Sequence, residues 1–219
     1  MRPAVADERR SPAGRRYEAV KRALDVLAAS ASLVAVAPLL AAIAAAIRVE
    51  SPGPVILRQP RVGRGGRDFP MFKFRTMVVD AHTLGAGWLV AENDPRITRV
   101  GAFLRKWSLD ELPQLVNVLR GDMSIVGPRP TLRYQVEQYT PFQRRRLEVR
   151  PGITEWAQIS GRNELTWPER IEFDVWYVDH RSLSLDAKIL ARTLPVVLRA
   201  TRVYNDARGD WGERGAEGA

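Results

Sequence analysis

The sequence has no cysteine and only two histidines, His82 and His180. Without cysteine the chain can form no disulfide, no thiolate nucleophile and no cysteine-based metal site, and a reducing compartment is permitted. Two histidines alone argue against a zinc enzyme.

Lysine is also scarce. Only Lys21, Lys73, Lys106 and Lys188 occur among the 34 basic residues, so arginine carries almost all of the formal net charge of +9. This balance favours an anionic partner, which can be a nucleic acid, an anionic membrane surface or a phosphorylated substrate. A chain of 219 residues is long enough for one domain with a core, and we expect a small domain with appendages.

Charged residues are missing altogether from Val26 to Ile47. A helix of this length, at about 1.5 Å per residue, can cross a hydrocarbon core of roughly 30 Å. A secretory signal is one interpretation, although its apolar region is usually about 7–15 residues long. A single spanning helix and a re-entrant helix hairpin over residues 19–50 are the other two.

Two features favour the re-entrant hairpin. Basic residues flank the apolar run on both sides, with Lys21 and Arg22 before it and Arg48 and Arg58 after it, and the positive-inside rule places both flanks in the cytoplasm. Pro38, in the middle of the run, removes a helical hydrogen bond and can bend the segment.

A β-hairpin is predicted after the apolar run. The segment 51–54, Ser-Pro-Gly-Pro, ends the helix, and two strand patterns over 55–57 and 69–77 are joined by a glycine-rich turn. Period-two geometry places Lys73 and Arg75 on one face. That face is either a solvated edge, attracted to anionic headgroups, or the wall of a substrate site.

Two adjacent carboxylates, Asp110 and Glu111, begin a short helical pattern, and Arg129 follows between two prolines. Acids and a rigidly held base so close in sequence point to phosphate chemistry. The alternative is that Ser108 and Glu111 form a capping box, in which their side chains only satisfy backbone N–H groups. Pro113 weighs against that alternative, because it would lie too far inside a helix capped by Ser108.

After residue 130 the patterns are helical, with arginine and aromatic residues at their edges. Such helices suit a membrane interface, although core-facing helices of a soluble bundle show the same pattern. The expected fold class is α+β, mainly α, with a re-entrant membrane helix hairpin, a short β-hairpin and interfacial amphipathic helices around a small catalytic core. The expected divisions are a disordered basic arm over 1–18, the re-entrant helix over 19–50, the catalytic domain over 51–204 and a disordered tail over 205–219.

Nine short motifs together resemble the bacterial sugar transferase family, the small monotopic polyprenyl-phosphate phosphoglycosyl transferases. They occur in the family's order and are Lys21-Arg22-x-x-Asp25, Ser51-Pro52-Gly53-Pro54, Gln59-x-Arg61-Val62-Gly63, Lys73-Phe74-Arg75-Thr76-Met77, Asp110-Glu111-Leu112-Pro113-Gln114, Gly121-Asp122-Met123-Ser124, Gly127-Pro128-Arg129-Pro130, Arg150-Pro151-Gly152-Ile153-Thr154 and Ser182-Leu183-x-Leu185-Asp186. One departure lies at the bend, where such proteins often carry Ser-Pro and this chain has Ala37-Pro38.

The resemblance implies a re-entrant membrane helix, a catalytic pair formed by Asp110 and Glu111, and Mg²⁺ as cofactor. It implies a nucleotide-activated sugar as donor and a polyprenyl phosphate as acceptor. We expect the donor to be a UDP-sugar and the chain to lie at the cytoplasmic face of the bacterial inner membrane. We expect no nucleic acid as partner, and a homodimer is a possible assembly. Asp110 is then predicted to be the nucleophile, and Glu111 a ligand of Mg²⁺.

Six residues are predicted to bind substrate or support the site, namely Lys73, Arg75, Arg129, Gln158, Arg162 and Asp186. Arg129 is assigned to the reacting phosphates because two prolines hold it. We assign Gln158 and Arg162 to the nucleotide or the sugar, and Asp186 to support of the site.

Two other classes stay open at this point. One is a membrane-tethered nucleic-acid binder, although no recognised reading module or stacking motif is present in the sequence. The other is a non-catalytic membrane scaffold, in which the acid pair would only cap a helix.

Overall fold

The computed structural model describes residues 12–79, 81, 94–160 and 165–198. In these ranges the chain forms α1 (Pro12–Glu50), β1 (Ile56–Val62), β2 (Asp68–Phe74), α2 (Arg99–Lys106), α3 (Gln114–Arg120), β3 (Ser124–Val126), α4 (Arg133–Glu137), α5 (Pro141–Arg144), β4 (Gly152–Thr154), α6 (Trp156–Ser160), α7 (Trp167–His180) and α8 (Leu183–Leu198). The described strands make two sheets of two strands each. The prediction of a mainly helical α+β fold is therefore confirmed, whereas the predicted tail over 205–219 lies outside the described residues.

The apolar run belongs to α1, a helix of 39 residues that continues through Pro38. It begins at Pro12, so residues 12–18, which the sequence places in the basic arm, are its first turns. Within the described ranges, the segment Arg16–Glu50 is the one helix long and apolar enough to cross a membrane. Only 11% of its most apolar stretch is buried, so α1 is not the core helix of a soluble domain.

Both halves of α1 pack against the same body. Ala29, before Pro38, packs against β2 and α3. Ile43 and Ile47, after Pro38, pack against the end of β2 and against α2. Val34, between these contacts, is 78% exposed and faces away from the body. The helix therefore lies along the rest of the chain on both sides of Pro38.

Polar contacts fix the two ends of α1. Arg22 donates to two carbonyl oxygens near the end of α3, at 2.6 and 2.9 Å. Lys21 pairs with Asp186 of α8 at 2.8 Å. At the other end, Glu50 accepts the first two N–H groups of α2 at 2.8 and 3.0 Å, groups that have no partner inside a helix.

The predicted β-hairpin is confirmed. β1 and β2 are antiparallel, with Ile56 opposite Phe74 and Val62 opposite Asp68. The end of β1 continues into a further bridge, in which the Val62 N–H donates to the carbonyl oxygen of Thr131 at 2.9 Å. This bridge holds the loop that contains Arg129 against the hairpin.

The same loop is fixed from its other side by the parallel strands β3 and β4. The Gly127 N–H donates to the Thr154 carbonyl at 3.0 Å, and the Gly152 N–H donates to the Pro128 carbonyl at 2.9 Å. A Cβ atom on Gly152 would stand 2.1 Å from the Gly127 nitrogen, so glycine is required for this close approach. The loop therefore leaves the sheet in one defined direction.

A similar close approach sets α2 against the end of β2. A Cβ atom on Gly101, in the first turn of α2, would lie 2.0 Å from the carbonyl oxygen of Thr76. Leu104, one turn later, is buried against Phe74 and the second half of α1. The position of α2, and of the turn that follows it, thus depends on the absence of a side chain at residue 101.

We predict that Gly101→Ala destabilises the fold by about 1–3 kcal/mol through overpacking. Helix propensity alone would favour alanine over glycine by up to about 1 kcal/mol, so the two effects differ in sign. Denaturant unfolding of the detergent-solubilised protein measures the difference. The control is Ala102→Gly on the exposed side of α2, which should cost about 1 kcal/mol or less. A neutral or stabilising Gly101→Ala would contradict the packing described here.

Candidate active site

Asp110 and Glu111 lie in a short 3-10 turn, Leu109–Glu111, between α2 and α3. The side chain of Ser108 makes no capping hydrogen bond. Pro113 stands at the N-cap of α3 rather than inside a helix. The capping-box alternative is therefore wrong, and the proline that seemed to break a helix separates two short ones.

The backbone at the start of this turn is strained. Ser108 has φ 55°, the one positive φ among the described residues other than glycine. A left-handed conformation costs a residue with a side chain roughly 1–2 kcal/mol. Such strain concentrates at functional sites, where the surrounding structure enforces it.

The carboxylate of Glu111 joins three distant segments. Its Oε1 accepts from Lys73 Nζ of β2 at 2.8 Å and from Arg129 Nη2 of the loop after β3 at 3.0 Å. Burial alone would raise the pKa of Glu111, but the Lys73 ammonium and the Arg129 guanidinium together lower it to about 2. Glu111 is therefore ionised at neutral pH and serves as the counter-charge of both cations.

Asp110 has a different environment from its neighbour. Burial raises the pKa of Asp110, with the Glu111 charge acting in the same direction, while Lys73 and then Arg105 and Arg129 oppose the rise. A carboxylate whose pKa is raised binds protons and electrophiles more strongly than an ordinary one. The pair thus combines one acid held firmly ionised with one of greater basicity.

Arg129 is held through its main chain. Its N–H donates to Glu155 Oε2 at 2.8 Å, and its carbonyl oxygen accepts from Arg146 Nη2 at 3.0 Å. Arg146 is 2% exposed and pairs with Asp174 at 2.5 Å. These buried charges fix the backbone of the loop and leave the guanidinium of Arg129 directed to the acid pair. The sequence analysis missed Glu155 and Arg146, because a bond to a main-chain atom leaves no pattern in the sequence.

Lys73 and Arg75 do not share their contacts. Lys73 binds Glu111, whereas Arg75 is 7% exposed and donates to the carbonyl oxygens of Pro52 at 2.6 Å and Ser51 at 2.7 Å. β2 ends at Phe74, so the alternation expected from a strand does not extend to Arg75. Arg75 satisfies carbonyl groups of the segment that follows α1, and the structure does not bring it to the acid pair.

The remaining predicted site residues lie elsewhere. Asp186 accepts from Lys21 at 2.8 Å and from Tyr177 at 2.7 Å, so it joins α1, α7 and α8. Gln158 lies on α6, and in the described part of the chain it makes no hydrogen bond to the acid pair. Arg162 lies outside the described residues.

Two arginines that the sequence analysis did not assign lie near the acid pair. Arg105 lies at the end of α2, and its positive charge opposes the rise in the pKa of Asp110 that burial causes. Its Nε donates to the hydroxyl of Thr76 at 3.1 Å. Burial and then the Arg129 charge lower the pKa of Arg61, near the end of β1, whereas the Glu111 carboxylate raises it. Cations therefore outnumber the two carboxylates, and the site suits a ligand with several negative charges.

The two carboxylates can hold a divalent cation only together with further ligands, such as waters or substrate phosphates. In the described ranges there is no group of three or more histidine, aspartate or glutamate side chains that could hold a metal ion by itself. Mg²⁺ usually keeps several waters and is bound by one or two carboxylates together with substrate phosphates. The acid pair fits Mg²⁺ that is shared with a phosphorylated ligand.

Comparison with known proteins gives a consistent assignment. The family model described as bacterial sugar transferase matches residues 16–200. The uncharacterized sugar transferase EpsL of Bacillus subtilis is 45% identical over 179 residues, which cover 82% of this chain and 87% of that protein. The exopolysaccharide production protein ExoY of Rhizobium meliloti is 42% identical over 198 residues, which cover 84% of this chain and 88% of that protein.

A third relative is named by its reaction. The UDP-N-acetylgalactosamine-undecaprenyl-phosphate N-acetylgalactosaminephosphotransferase of Aeromonas hydrophila is 43% identical over 188 residues. The match covers 83% of this chain but 44% of that protein, so the chain spans less than half of this relative. The family match includes all nine motifs and confirms the resemblance. The chain belongs to the bacterial sugar transferase family.

Proposed function

We propose that this chain transfers a sugar phosphate from a UDP-sugar to a membrane polyprenyl phosphate and releases UMP. The reaction would be the first membrane step in the assembly of an exopolysaccharide, an O-antigen or another glycoconjugate. The observation that carries the proposal is the acid pair surrounded by Lys73, Arg105 and Arg129. The name of the Aeromonas relative, which specifies a UDP-sugar and undecaprenyl phosphate, supports it.

Asp110 is the proposed nucleophile. An oxygen of its carboxylate attacks the phosphorus that bears the sugar, and the bond from this phosphorus to the oxygen of UMP breaks. The electron pair leaves with UMP, and the sugar phosphate stays on Asp110 as an acyl phosphate. An oxygen of the lipid phosphate then attacks the same phosphorus and releases the Asp110 carboxylate.

Lys73 and Arg129 would bind the diphosphate by exchange of partner. Both now donate to one oxygen of Glu111, and phosphate oxygens are acceptors of the same kind with more charge. A diphosphate that enters the site therefore competes with Glu111 for the two cations. After Lys73 and Arg129 have moved to the diphosphate, the ionised carboxylate of Glu111 is available to bind Mg²⁺. A bound Mg²⁺ would neutralise charge on the diphosphate.

Trapping of the intermediate tests this function. With the purified protein and each of a panel of UDP-sugars, but no acceptor, we expect UMP release and the mass of a sugar phosphate on Asp110. Asp110→Asn should abolish the adduct and lower kcat/KM by a factor on the order of 10³ or more. Asp68→Asn, the same change at an exposed residue of β2, is the matched control and should stay active. Full activity of Asp110→Asn would overturn the assignment.

We also propose that α1 enters the membrane and returns to the same side, as a re-entrant segment at the cytoplasmic face. Its basic flanks support this arrangement, as does the packing of both its halves against one body. A helix that crossed the bilayer would carry one of its halves away from that body.

Cysteine labelling tests the arrangement, and the absence of native cysteine removes any background. We expect Arg16→Cys and Arg58→Cys to be protected from an impermeant maleimide in intact spheroplasts, because both sites are cytoplasmic. Both should label after the membrane is permeabilised, which is the control for reactivity. Labelling of either site in intact spheroplasts would show that α1 crosses the membrane.

A further inference from the structure

Arg61 is a half-buried cation that forms no ion pair with any residue that the structure describes. In the part of the chain that the structure describes, it has no carboxylate partner, and its hydrogen bond runs from Nη2 to Gln59 Oε1 at 3.3 Å. Its Nε is buried and has no hydrogen-bond partner in the same ranges. Removing such a group from water without pairing it costs free energy. Lys73 and Arg129, by contrast, share Glu111 as their counter-charge.

Arg61 lies beside the acid pair because of the fold around it. The bridge between Val62 and Thr131 ties the end of β1 to the loop that carries Arg129. Burial, followed by the neighbouring Arg129, lowers the pKa of Arg61 to about 10, so it remains cationic at neutral pH. The protein thus holds two guanidinium groups close together although their charges repel.

The hairpin spaces the charges of the site. Lys73 lies opposite Leu57, and Arg61 lies four residues further along β1 on the same face. Arg129 shares a carboxylate with Lys73, and Thr131, two residues after Arg129, bridges to the end of β1 beside Arg61. The loop that carries Arg129 therefore runs from Lys73 and the acid pair towards Arg61.

In phosphoryl transfer the attacking and leaving oxygens are roughly in line, on opposite sides of the phosphorus. If Asp110 attacks a phosphorus bound next to Arg129, the leaving phosphate lies on the side away from Asp110, where Arg61 is. We propose that Arg61 binds the phosphate of the leaving nucleotide. This inference rests on the proposed function and adds a catalytic residue to it.

The in-line geometry gives Arg61 a phosphate to bind in each half of the reaction. When the bond between the sugar-bearing phosphorus and the UMP oxygen breaks, the electron pair and the new negative charge go to UMP. A guanidinium can bind that phosphate through two parallel hydrogen bonds. In the second half, Asp110 is the leaving group, so the lipid phosphate attacks in line from the opposite side, which UMP has vacated. Arg61 can therefore bind the incoming lipid phosphate as well.

Equilibrium binding of UMP tests the assignment without turnover. We expect Arg61→Met to weaken UMP binding by about 10- to 100-fold in calorimetry of the solubilised full chain without divalent cations. Binding of uridine, which lacks the phosphate, should be unchanged and also shows that the variant is folded. Arg58→Met, an exposed arginine on the same strand with the same change of charge, is the control. Unchanged UMP affinity in Arg61→Met would overturn the inference.

The two half-reactions give a second readout. In Arg61→Met, formation of the Asp110 adduct from a UDP-sugar should slow by at least the same factor, and transfer from the isolated adduct to polyprenyl phosphate should slow too, because the lipid phosphate takes the place of UMP. Hydrolysis of the isolated adduct by water, which has no phosphate, should keep its rate. An equal loss in that hydrolysis would mean a structural role and overturn the inference. Arg61→Gln, which keeps a polar side chain next to Gln59, replaces the methionine variant if that variant does not fold. If the wild-type chain forms no adduct, the proposed function fails. The comparison of UMP binding with uridine binding still decides whether Arg61 binds the phosphate.

Discussion

One carboxylate oxygen holds the site together. Oε1 of Glu111 accepts from Lys73 at 2.8 Å and from Arg129 at 3.0 Å. The three residues come from β2, from the turn between α2 and α3, and from the loop after β3. Because the contacts are partly buried, removal of Glu111 would leave two cations close together without the carboxylate that they share. The bridge from β1 to Thr131 and the close approach of β3 and β4 both place the loop where this contact forms.

The same interaction explains how an occupied site can accept substrate. Glu111 offers Lys73 and Arg129 a negatively charged hydrogen-bond acceptor, as a phosphate oxygen would. Its carboxylate therefore occupies the place of the ligand phosphate when no substrate is bound. Arg146 and Glu155 hold only the main chain of Arg129, and its guanidinium can therefore change partner while the loop stays in place. Arg61, which has no such carboxylate partner in the described part of the chain, adds charge on the side away from Asp110.

The sequence predicts the acid pair, Lys73 and Arg129, because each lies in a short pattern whose chemistry is local. It does not predict the position of Arg75, which depends on where β2 ends and on carbonyl groups of the segment after α1. The contact of Asp186 with Lys21 joins residues 165 positions apart, and a pattern along the chain cannot show it. The apolar run is predictable from its lack of charged residues, and the hairpin from its period of two. The packing of both halves of α1 against one body depends on tertiary contacts, which the sequence pattern does not show.

The measurement that tests this account most directly is the affinity of Glu111→Gln for UMP without divalent cations. If Glu111 is the internal competitor for Lys73 and Arg129, removal of its charge frees both cations. The variant should then bind UMP severalfold more tightly than the wild type, although its transferase activity falls. Equal or weaker binding of UMP by Glu111→Gln would show that these cations do not serve the phosphate, and would contradict the account.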